Sequence, residues 1–255
     1  MYFLLSSTRY DASLLKFEWN NDIDGPSPFF ILPYHFDRLR DAAELHGWQE
    51  AKRSLSYAKL KEKCRSKVEE EGTEQAIKVR ISISEAGEID VTVSAVPPFE
   101  TNPMSLAHFN PTLDAYTIDS PVVSVYLDSM STPSTLFTRT KTTHRVHYDE
   151  ARARSKISSP TSEVVLFNDD TLITEASISN VSFFRAGRWL TPSASTGCLP
   201  GVARRWLLSN KLVDEDHEEQ LTTNSISEGD WVLLSNGVQG CRLGKITLMS
   251  SRSLS

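Results

Sequence analysis

The sequence predicts a mixed α+β protein with two domains. Segments with strand character outnumber those with helix character. Residues 77–83 and 89–95 alternate apolar and polar side chains around a turn at Ala86-Gly87, which is typical of an antiparallel hairpin. Residues 128–134 hold Ser, Thr and Pro with little apolar content, as linkers do. We therefore divide the chain into an N-terminal domain (1–127), a connector (128–136) and a C-terminal domain (137–255).

The N-terminal domain is predicted to begin with a strand. Its elements are expected, in order, as strands at 3–10 and 29–32, helices at 35–45 and 49–70, the hairpin, and a strand at 122–127. The first helix is indicated by Phe36, Leu39 and Ala43, which recur at helical spacing. Gly47 follows as a plausible stop.

The C-terminal domain is predicted to be richer in strands. Its elements are expected as a strand leading to Lys141, a helix at 148–155, strands at 163–167, 178–185 and 189–190, a helix at 202–209, and strands at 231–234 and 241–248. The charged run at 214–219 is predicted to be a solvated loop.

Composition restricts the partners. A net charge of -6 argues against a general nucleic-acid binder, and no stretch is long enough to span a bilayer. Three scattered cysteines indicate a reducing compartment, so we expect a cytoplasmic location. His144 and His147 lack a Cys or acidic partner at metal-site spacing, and no metal is expected. No nucleic-acid or membrane partner is therefore expected.

Three motifs could carry chemistry. Lys141 by itself would be a surface residue, but Arg145, four residues on, would favour a neutral, nucleophilic amine. Glu175 alone would be an ordinary carboxylate at a strand end. The glycine turn at 201–203 opens a helix whose free amides suit a phosphate, although Pro-Gly before a helix is common in proteins without ligands.

The order of these motifs resembles the class IV aminotransferase family, the fold-type IV enzymes that use pyridoxal 5'-phosphate. Lys141-Thr142-Thr143-His144-Arg145 is similar to a Lys-Thr-x-Asn-Arg pattern of the family, with His144 where the pattern often has Asn. Glu175 and Asn180 match its Glu-x-x-x-x-Asn spacing. The resemblance implies the two-domain D-amino-acid-aminotransferase-like fold.

The resemblance also implies roles for single residues. Lys141 would bond the cofactor aldehyde, Glu175 would pair with the ring nitrogen, and Arg38, in a His-x-x-Arg-Leu motif, would bind the phosphate. Ala203 lacks the hydroxyl that many relatives have, so only backbone contacts carry over there. The implied cofactor-binding residues are Arg38, Glu175, Asn180, Gly201, Val202, Ala203, Asn236 and Gly237.

Within the family, the chain looks most like the fungal-type aminodeoxychorismate lyases. The motifs that suggest this are Ser7-Thr8-Arg9-Tyr10-Asp11, 32–39, Gly47-Trp48, 141–145 and Tyr148-Asp149-x-Ala151-Arg152. The resemblance implies a small-molecule substrate, because such lyases convert 4-amino-4-deoxychorismate to 4-aminobenzoate, a folate precursor, and pyruvate. The substrate has two carboxylates, for which Arg9 is a candidate ligand and Thr143 and Arg242 are weaker ones.

Two alternatives stay open at this point. An amino-acid transaminase of the same family would share every cofactor residue. A degenerate homologue that binds partners without the cofactor is disfavoured because Arg38, Lys141, Glu175 and Gly201 are retained. A homodimer is expected from the resemblance alone.

Overall fold

The computed structural model describes residues 1–72, 74–116, 121–157, 159 and 161–247. Its helices are α1 (Leu32–Leu45), α2 (Gln49–Ser54), α3 (Tyr57–Glu71), α4 (Pro111–Asp114), α5 (Leu136–Arg139), α6 (Val146–Arg154) and α7 (Val202–Ser209). Its strands are β1 (Leu4–Tyr10), β2 (Ile77–Ile83), β3 (Ile89–Ala95), β4 (Val123–Leu127), β5 (Ser162–Phe167), β6 (Ile173–Ala176), β7 (Asn180–Arg185), β8 (Arg188–Pro192), β9 (Asp214–Asp216), β10 (Trp231–Asn236) and β11 (Gly240–Ile246). Short 3-10 turns lie at Ala12–Lys16, Glu18–Asn20, Ser105–His108, Ala194–Thr196 and Thr223–Ser225.

A small antiparallel sheet has the order β1-β2-β3, and its hairpin confirms the sequence prediction. Odd-numbered residues of β2, such as Val79 and Ile81, are fully buried in a core shared with α1 and α3. Even-numbered residues, such as Lys78 and Arg80, point to the opposite face, because side chains alternate along a strand. The alternation in the sequence therefore gives one apolar face and one polar face.

The larger sheet has eight strands in the order β6-β5-β4-β11-β10-β7-β8-β9. β4 runs parallel to both of its neighbours, β11 and β5, whereas β10 pairs antiparallel with β11 and β7. Val232, Leu233 and Leu234 in β10 are consecutive and all fully buried, so both faces of this strand are covered. The larger sheet is thus an inner layer of the protein.

The structure corrects three predicted elements that precede Lys141. No strand forms at 29–32: Phe29 makes a single bridge to Tyr10, and α1 starts at Leu32 with a proline in its first turn, where the missing N–H costs nothing. The helix predicted at 49–70 is two helices, because Ser56 caps α3 by accepting from the Lys59 amide. Instead of a strand before Lys141, the chain forms the short helix α5.

Two further differences lie after Lys141. β6 has no predicted counterpart, and the charged run begins with β9, which pairs in parallel with β8. In that run Asp216 is buried, since its carboxylate accepts the amides of Gln220 and Leu221. The last predicted strand ends at Ile246, and residue 248 lies outside the described residues.

The division into two domains stays a prediction. β4, which the sequence prediction put at the end of the N-terminal domain, hydrogen-bonds within the eight-stranded sheet. Across the described residues, no helix has the length and apolar character needed to cross a membrane.

Candidate active site

One cavity of about 470 Å³ takes its walls from both sheets. Residues of β1 and β2 form one side, and the turn between β6 and β7, the start of α7 and the turn between β10 and β11 form the other. Eight of the residues predicted to bind or react with a cofactor line this cavity: Arg38, Lys141, Glu175, Asn180, Gly201, Val202, Asn236 and Gly237.

The segment that carries Lys141 is held by β1. The Leu5 amide donates to the Lys141 carbonyl at 2.8 Å, and Leu4 forms an antiparallel bridge with Thr142. The Thr142 hydroxyl then accepts from the His144 amide at 3.1 Å, which turns the chain towards α6. The backbone on both sides of the lysine is therefore fixed, and its side chain reaches into the cavity.

The surroundings of Lys141 favour its neutral form. Burial of the amine, followed by the nearby charges of Arg38 and Arg145, lowers the pKa of Lys141 to about 7, and Glu175 opposes this shift. Near pH 7 a large fraction of the amine is thus unprotonated. A neutral amine can attack a carbonyl and can accept a proton, which an ordinary surface lysine cannot do at that pH.

Glu175 lies on β6 and is only 4% exposed. Its Oε1 accepts from the Tyr148 hydroxyl at 2.8 Å and from the Leu199 amide at 3.2 Å. Burial raises the pKa of Glu175 to about 7, while the hydrogen bond from Tyr148 is the first of the contacts that oppose the rise. A cationic partner in the cavity would stabilise the ionised form of this carboxylate.

The residue before α7, Gly201, occupies a position that has no room for a side chain. Gly201 caps α7, and a Cβ added to it would lie 1.9 Å from Oδ1 of Asn180. Asn180 is held there because its Nδ2 donates to the Leu199 carbonyl at 2.7 Å. The first amides of the helix have no partner within the helix, so they can donate to an anion.

The turn between β10 and β11 lies against the start of α7. Oδ1 of Asn236 accepts from the amides of Val238 and Gln239, which closes the turn between β10 and β11. A Cβ on Gly237 would lie 2.5 Å from Val202 and 2.6 Å from the ring of His35. The absence of a side chain at Gly237 therefore lets its backbone approach the start of α7 and α1.

Arg38 lines the cavity together with these two turns, and Arg38, Gly201 and Gly237 form what we call the Arg38 corner. Its Nη2 donates to the Ser6 hydroxyl at 2.6 Å, and that hydroxyl lies 2.8 Å from Nδ1 of His35. Nε of Arg38 and Nε2 of His35 are buried without a hydrogen-bond partner among the described residues. Burial and Arg205 lower the pKa of Arg38 to about 9, and burial lowers the pKa of His35 well below its usual value. Unpartnered buried nitrogens beside two glycine turns fit a phosphate group.

Three of the predicted site residues do not line the cavity. Thr143 uses its hydroxyl to accept from the Phe3 amide at 3.0 Å. Arg242 donates to Oε1 of Glu163 at 2.6 Å, and the same oxygen accepts from the Ser179 hydroxyl. Ala203 is fully buried and packs in the apolar core under α7. Arg9 does line the cavity and pairs with Asp11 at 3.2 Å.

The sequence analysis assigned no role to several supporting residues, although His35 and Tyr148 stand in its motifs. Ser6 and His35 position Arg38, Tyr148 holds Glu175, and Glu163 fixes the turn after β6 through the Ile178 amide at 3.0 Å. Ser6, Tyr148 and Glu163 act through contacts with residues far away in the chain. Among the described residues, no group of three or more His, Cys, Asp or Glu side chains could hold a metal ion.

A sequence profile of the amino-transferase class IV family matches residues 18–245 of this chain. The chain belongs to this family. The resemblance drawn from the motifs is thereby confirmed.

Relatives within the family carry one activity in their names. The chain is 29% identical over 225 residues to a Schizosaccharomyces pombe protein provisionally named an aminodeoxychorismate lyase, covering 88% of this chain and 87% of that protein. It is 32% identical over 199 residues to the aminodeoxychorismate lyase of Saccharomyces cerevisiae, covering 68% of this chain and about half (52%) of that protein.

A solved structure shares the fold. The 4-amino-4-deoxychorismate lyase of Pseudomonas aeruginosa superposes with a TM-score of 0.61 at 14% identity, over 97% of this chain and 83% of that protein. A Mesorhizobium loti protein provisionally named an amino-acid aminotransferase superposes with a TM-score of 0.63 at 21% identity, over 97% of this chain and all of that one. The branched-chain amino acid aminotransferase of Escherichia coli superposes with a TM-score of 0.59 at 18% identity, over 98% of this chain and 77% of that one. The α+β fold-type IV architecture predicted from the sequence is confirmed.

Proposed function

We propose that this protein is a pyridoxal-phosphate-dependent lyase that converts 4-amino-4-deoxychorismate to 4-aminobenzoate and pyruvate. The observation that supports cofactor chemistry is the meeting of Lys141, Glu175 and the Arg38 corner in one cavity. The choice of a lyase reaction is supported by the names of the two yeast relatives.

The residues present fit the cofactor at three points. Lys141 would bond its aldehyde, Glu175 would accept a hydrogen bond from its protonated ring nitrogen, and Arg38 with the two glycine turns would bind its phosphate. When bound, pyridoxal phosphate withdraws electrons from the substrate carbon attached to its nitrogen, which makes that carbon more acidic. Glu175 would strengthen this effect by stabilising the ring proton.

The protein's own part in the reaction is proton transfer and placement. The Lys141 amine takes the proton from the ring carbon that bears the substrate's nitrogen. The carbon–oxygen bond to the enolpyruvyl group on the neighbouring carbon then breaks, and its electrons leave with the oxygen. Lys141 returns a proton, so that the departing group becomes pyruvate. The ring becomes aromatic, no water is consumed and no external oxidant is needed.

The direct test supplies aminodeoxychorismate and pyridoxal phosphate to the purified protein. We expect 4-aminobenzoate and pyruvate in equal amounts, with no product from a Lys141→Ala variant. Lys63→Ala is the matched control, since Lys63 is exposed on α3, and it should keep full activity. Absence of 4-aminobenzoate together with amino transfer from a donor to a 2-oxo acid would make the protein a transaminase instead.

A second measurement separates an enzyme from a homologue that lacks the cofactor. The lysine-bound cofactor absorbs visible light, so we expect a band that disappears on borohydride reduction or in Lys141→Ala. A protein with no such band after incubation with pyridoxal phosphate would not fit the proposal. The homodimer and the cytoplasmic location remain predictions.

A further inference from the structure

The cavity holds more positive charge than the cofactor would use. Its cationic lining residues are Arg9, Arg38, Lys78, Arg80, Lys141 and Arg145, whereas Glu175 is the single carboxylate among the described residues that line it. Under the proposed function, Lys141 and Arg38 serve the cofactor, and Arg9 is paired with Asp11. A surplus of cations therefore remains on the β2 side of the cavity.

Lys78 and Arg80 occupy one face of β2. They are two residues apart, so their side chains point the same way with about 7 Å between their backbones. In the register with β1, Lys78 is opposite Arg9 and Arg80 is opposite Ser7. All four of these residues line the cavity, so the small sheet presents a cationic face to it.

Lys78 and Arg80 lack the side-chain partners that Arg9 and Arg145 have, although Nη2 of Arg9 is itself buried without a hydrogen-bond partner among the described residues. Arg9 pairs with Asp11 at 3.2 Å, and Arg145 donates to the Ser177 carbonyl at 3.0 Å. Lys78 and Arg80 make no side-chain hydrogen bond or ion pair with another described residue.

Their position is also electrostatically unfavourable. Lys78 is half-buried, and burial, followed by the charges of Arg80 and Arg145, lowers the pKa of Lys78. Unpaired like charges at the wall of a cavity repel each other, and a bound anion would remove that repulsion. The arrangement suits a ligand that brings two negative groups to this wall.

We propose that Lys78 and Arg80 bind the two carboxylates of the substrate. This inference rests on the proposed function, because 4-amino-4-deoxychorismate has one carboxylate on its ring and another on its enolpyruvyl group. With the ring carbon that bears the substrate's nitrogen next to the Lys141 amine, both carboxylates have to lie against some wall of the cavity. The β2 wall supplies two separated, unpaired cations for them, whereas Thr143 and Arg242 do not line the cavity.

The test uses Lys78→Gln, Arg80→Gln and Arg80→Lys in the full-length holoenzyme. Arg65→Gln is the matched control, because Arg65 is exposed on α3. Since a hydrogen bond to a charged group contributes about 1.5–3 kcal/mol, each Gln variant should raise KM roughly 10- to 100-fold. Turnover at saturation should fall less than KM rises, Arg80→Lys should recover most of the loss, and the cofactor absorbance should stay unchanged.

The two products divide the substrate's carboxylates, which allows a second readout. 4-Aminobenzoate carries the ring carboxylate and pyruvate carries the other. Each product is titrated into the holoenzyme, and its binding is monitored by the cofactor absorbance. Each Gln variant should bind mainly one of the two products more weakly. Unchanged product binding and KM in both variants would overturn the inference, as would equal weakening of both products in both variants. Loss of the cofactor band in a variant would assign that residue to the cofactor and overturn its proposed role.

Failure of the proposed function would look different. Wild-type protein that forms no 4-aminobenzoate would refute the lyase reaction, but the product titrations would still be possible. Carboxylate binding that weakens in the Gln variants would then assign the β2 wall to another acidic substrate. Wild-type lyase activity with unaffected Gln variants would refute the carboxylate assignment alone.

Discussion

Lys141 and Glu175 show how burial, aided at Lys141 by the charges of Arg38 and Arg145, can prepare two ordinary side chains for chemistry. Both are drawn towards neutrality in the cavity, and the pKa of each moves to about 7 from opposite directions. Neither change requires an unusual residue type. The lysine gains nucleophilicity and the carboxylate is prepared to share a proton with a basic ring nitrogen.

The lowered pKa of Lys141 predicts the pH dependence of cofactor uptake. Because only the neutral amine attacks an aldehyde, the rate of cofactor uptake should rise with pH and level off just above pH 7. With an ordinary lysine, the rate would continue to rise up to about pH 10. Arg145→Gln removes one nearby cation and should move the midpoint to higher pH. The rate of appearance of the bound-cofactor band in protein freed of cofactor measures both. A midpoint near pH 10 in the wild type would contradict this account.

Removal of the Glu175 charge should lower turnover and leave cofactor binding intact. Glu175→Gln keeps the shape of the side chain but cannot balance a protonated ring nitrogen, so kcat should fall by about 100-fold or more. The cofactor should still bind, because Arg38 and the glycine turns are untouched. Steady-state kinetics and the cofactor absorbance separate the two effects, with exposed Glu62→Gln as the control. Wild-type turnover in Glu175→Gln would remove Glu175 from the reaction.

At the scale of single residues, the residues that short motifs singled out meet in one cavity, and their roles stay predictions. Lys141, Glu175, Asn180 and Gly201 are spaced along the chain in a recognisable order, and the structure brings them to one cavity. Arg242 does not line the cavity, because its guanidinium donates to Glu163, a residue far away in the chain that the sequence gives no reason to pair with it. Pairing across a sheet depends on register, which no local pattern of a few residues determines.

At the scale of elements, the two glycine turns depend on close contacts with neighbouring side chains. Gly201→Ala would force a methyl group against Oδ1 of Asn180, which is 1.9 Å from the Cβ position. We expect destabilisation of about 1–3 kcal/mol, the usual range for overpacking, and weaker cofactor binding. Urea unfolding and cofactor titration measure these effects.

A double-mutant cycle gives the control for this prediction. All three atoms nearest to the added Cβ belong to Asn180, so the cost of Gly201→Ala should be smaller in an Asn180→Ala background. The same cost in both backgrounds would mean that the contact with Asn180 is not the cause. Asn180→Ala alone also loses the bond to the Leu199 carbonyl, which the cycle subtracts.

Elements with strong periodicity were predicted well, and those set by tertiary contacts were not. The β2–β3 hairpin and α7 were predicted within one residue of their observed ends. The segment at 29–32 is apolar enough for a strand, but its end joins α1 through Ile31, whose φ of 43° is left-handed. β9 was missed because its charges, which look solvated in sequence, are used by Arg204 and by backbone amides.

At the scale of the whole molecule, the cavity is built by segments from both ends of the chain. Arg38 comes from α1, Glu175 from β6, and the two glycine turns from the last third. Contacts between α1 and α7, such as the 2.8 Å ion pair between Asp41 and Arg205, keep these parts together. A ligand that binds all of them should therefore stabilise the whole fold rather than one part.

Cofactor binding should accordingly raise the melting temperature of the chain. At a free concentration 100 times its Kd, a ligand specific for the folded state adds about 2.7 kcal/mol. A protein of this size gains about 2–4 °C per kcal/mol, so we expect roughly 5–10 °C from pyridoxal phosphate. Pyridoxal at the same concentration lacks the phosphate and should give a much smaller shift, as should pyridoxal phosphate with Arg38→Gln. Calorimetry measures each case, and equal shifts with and without the phosphate would contradict the binding corner assigned to Arg38, Gly201 and Gly237.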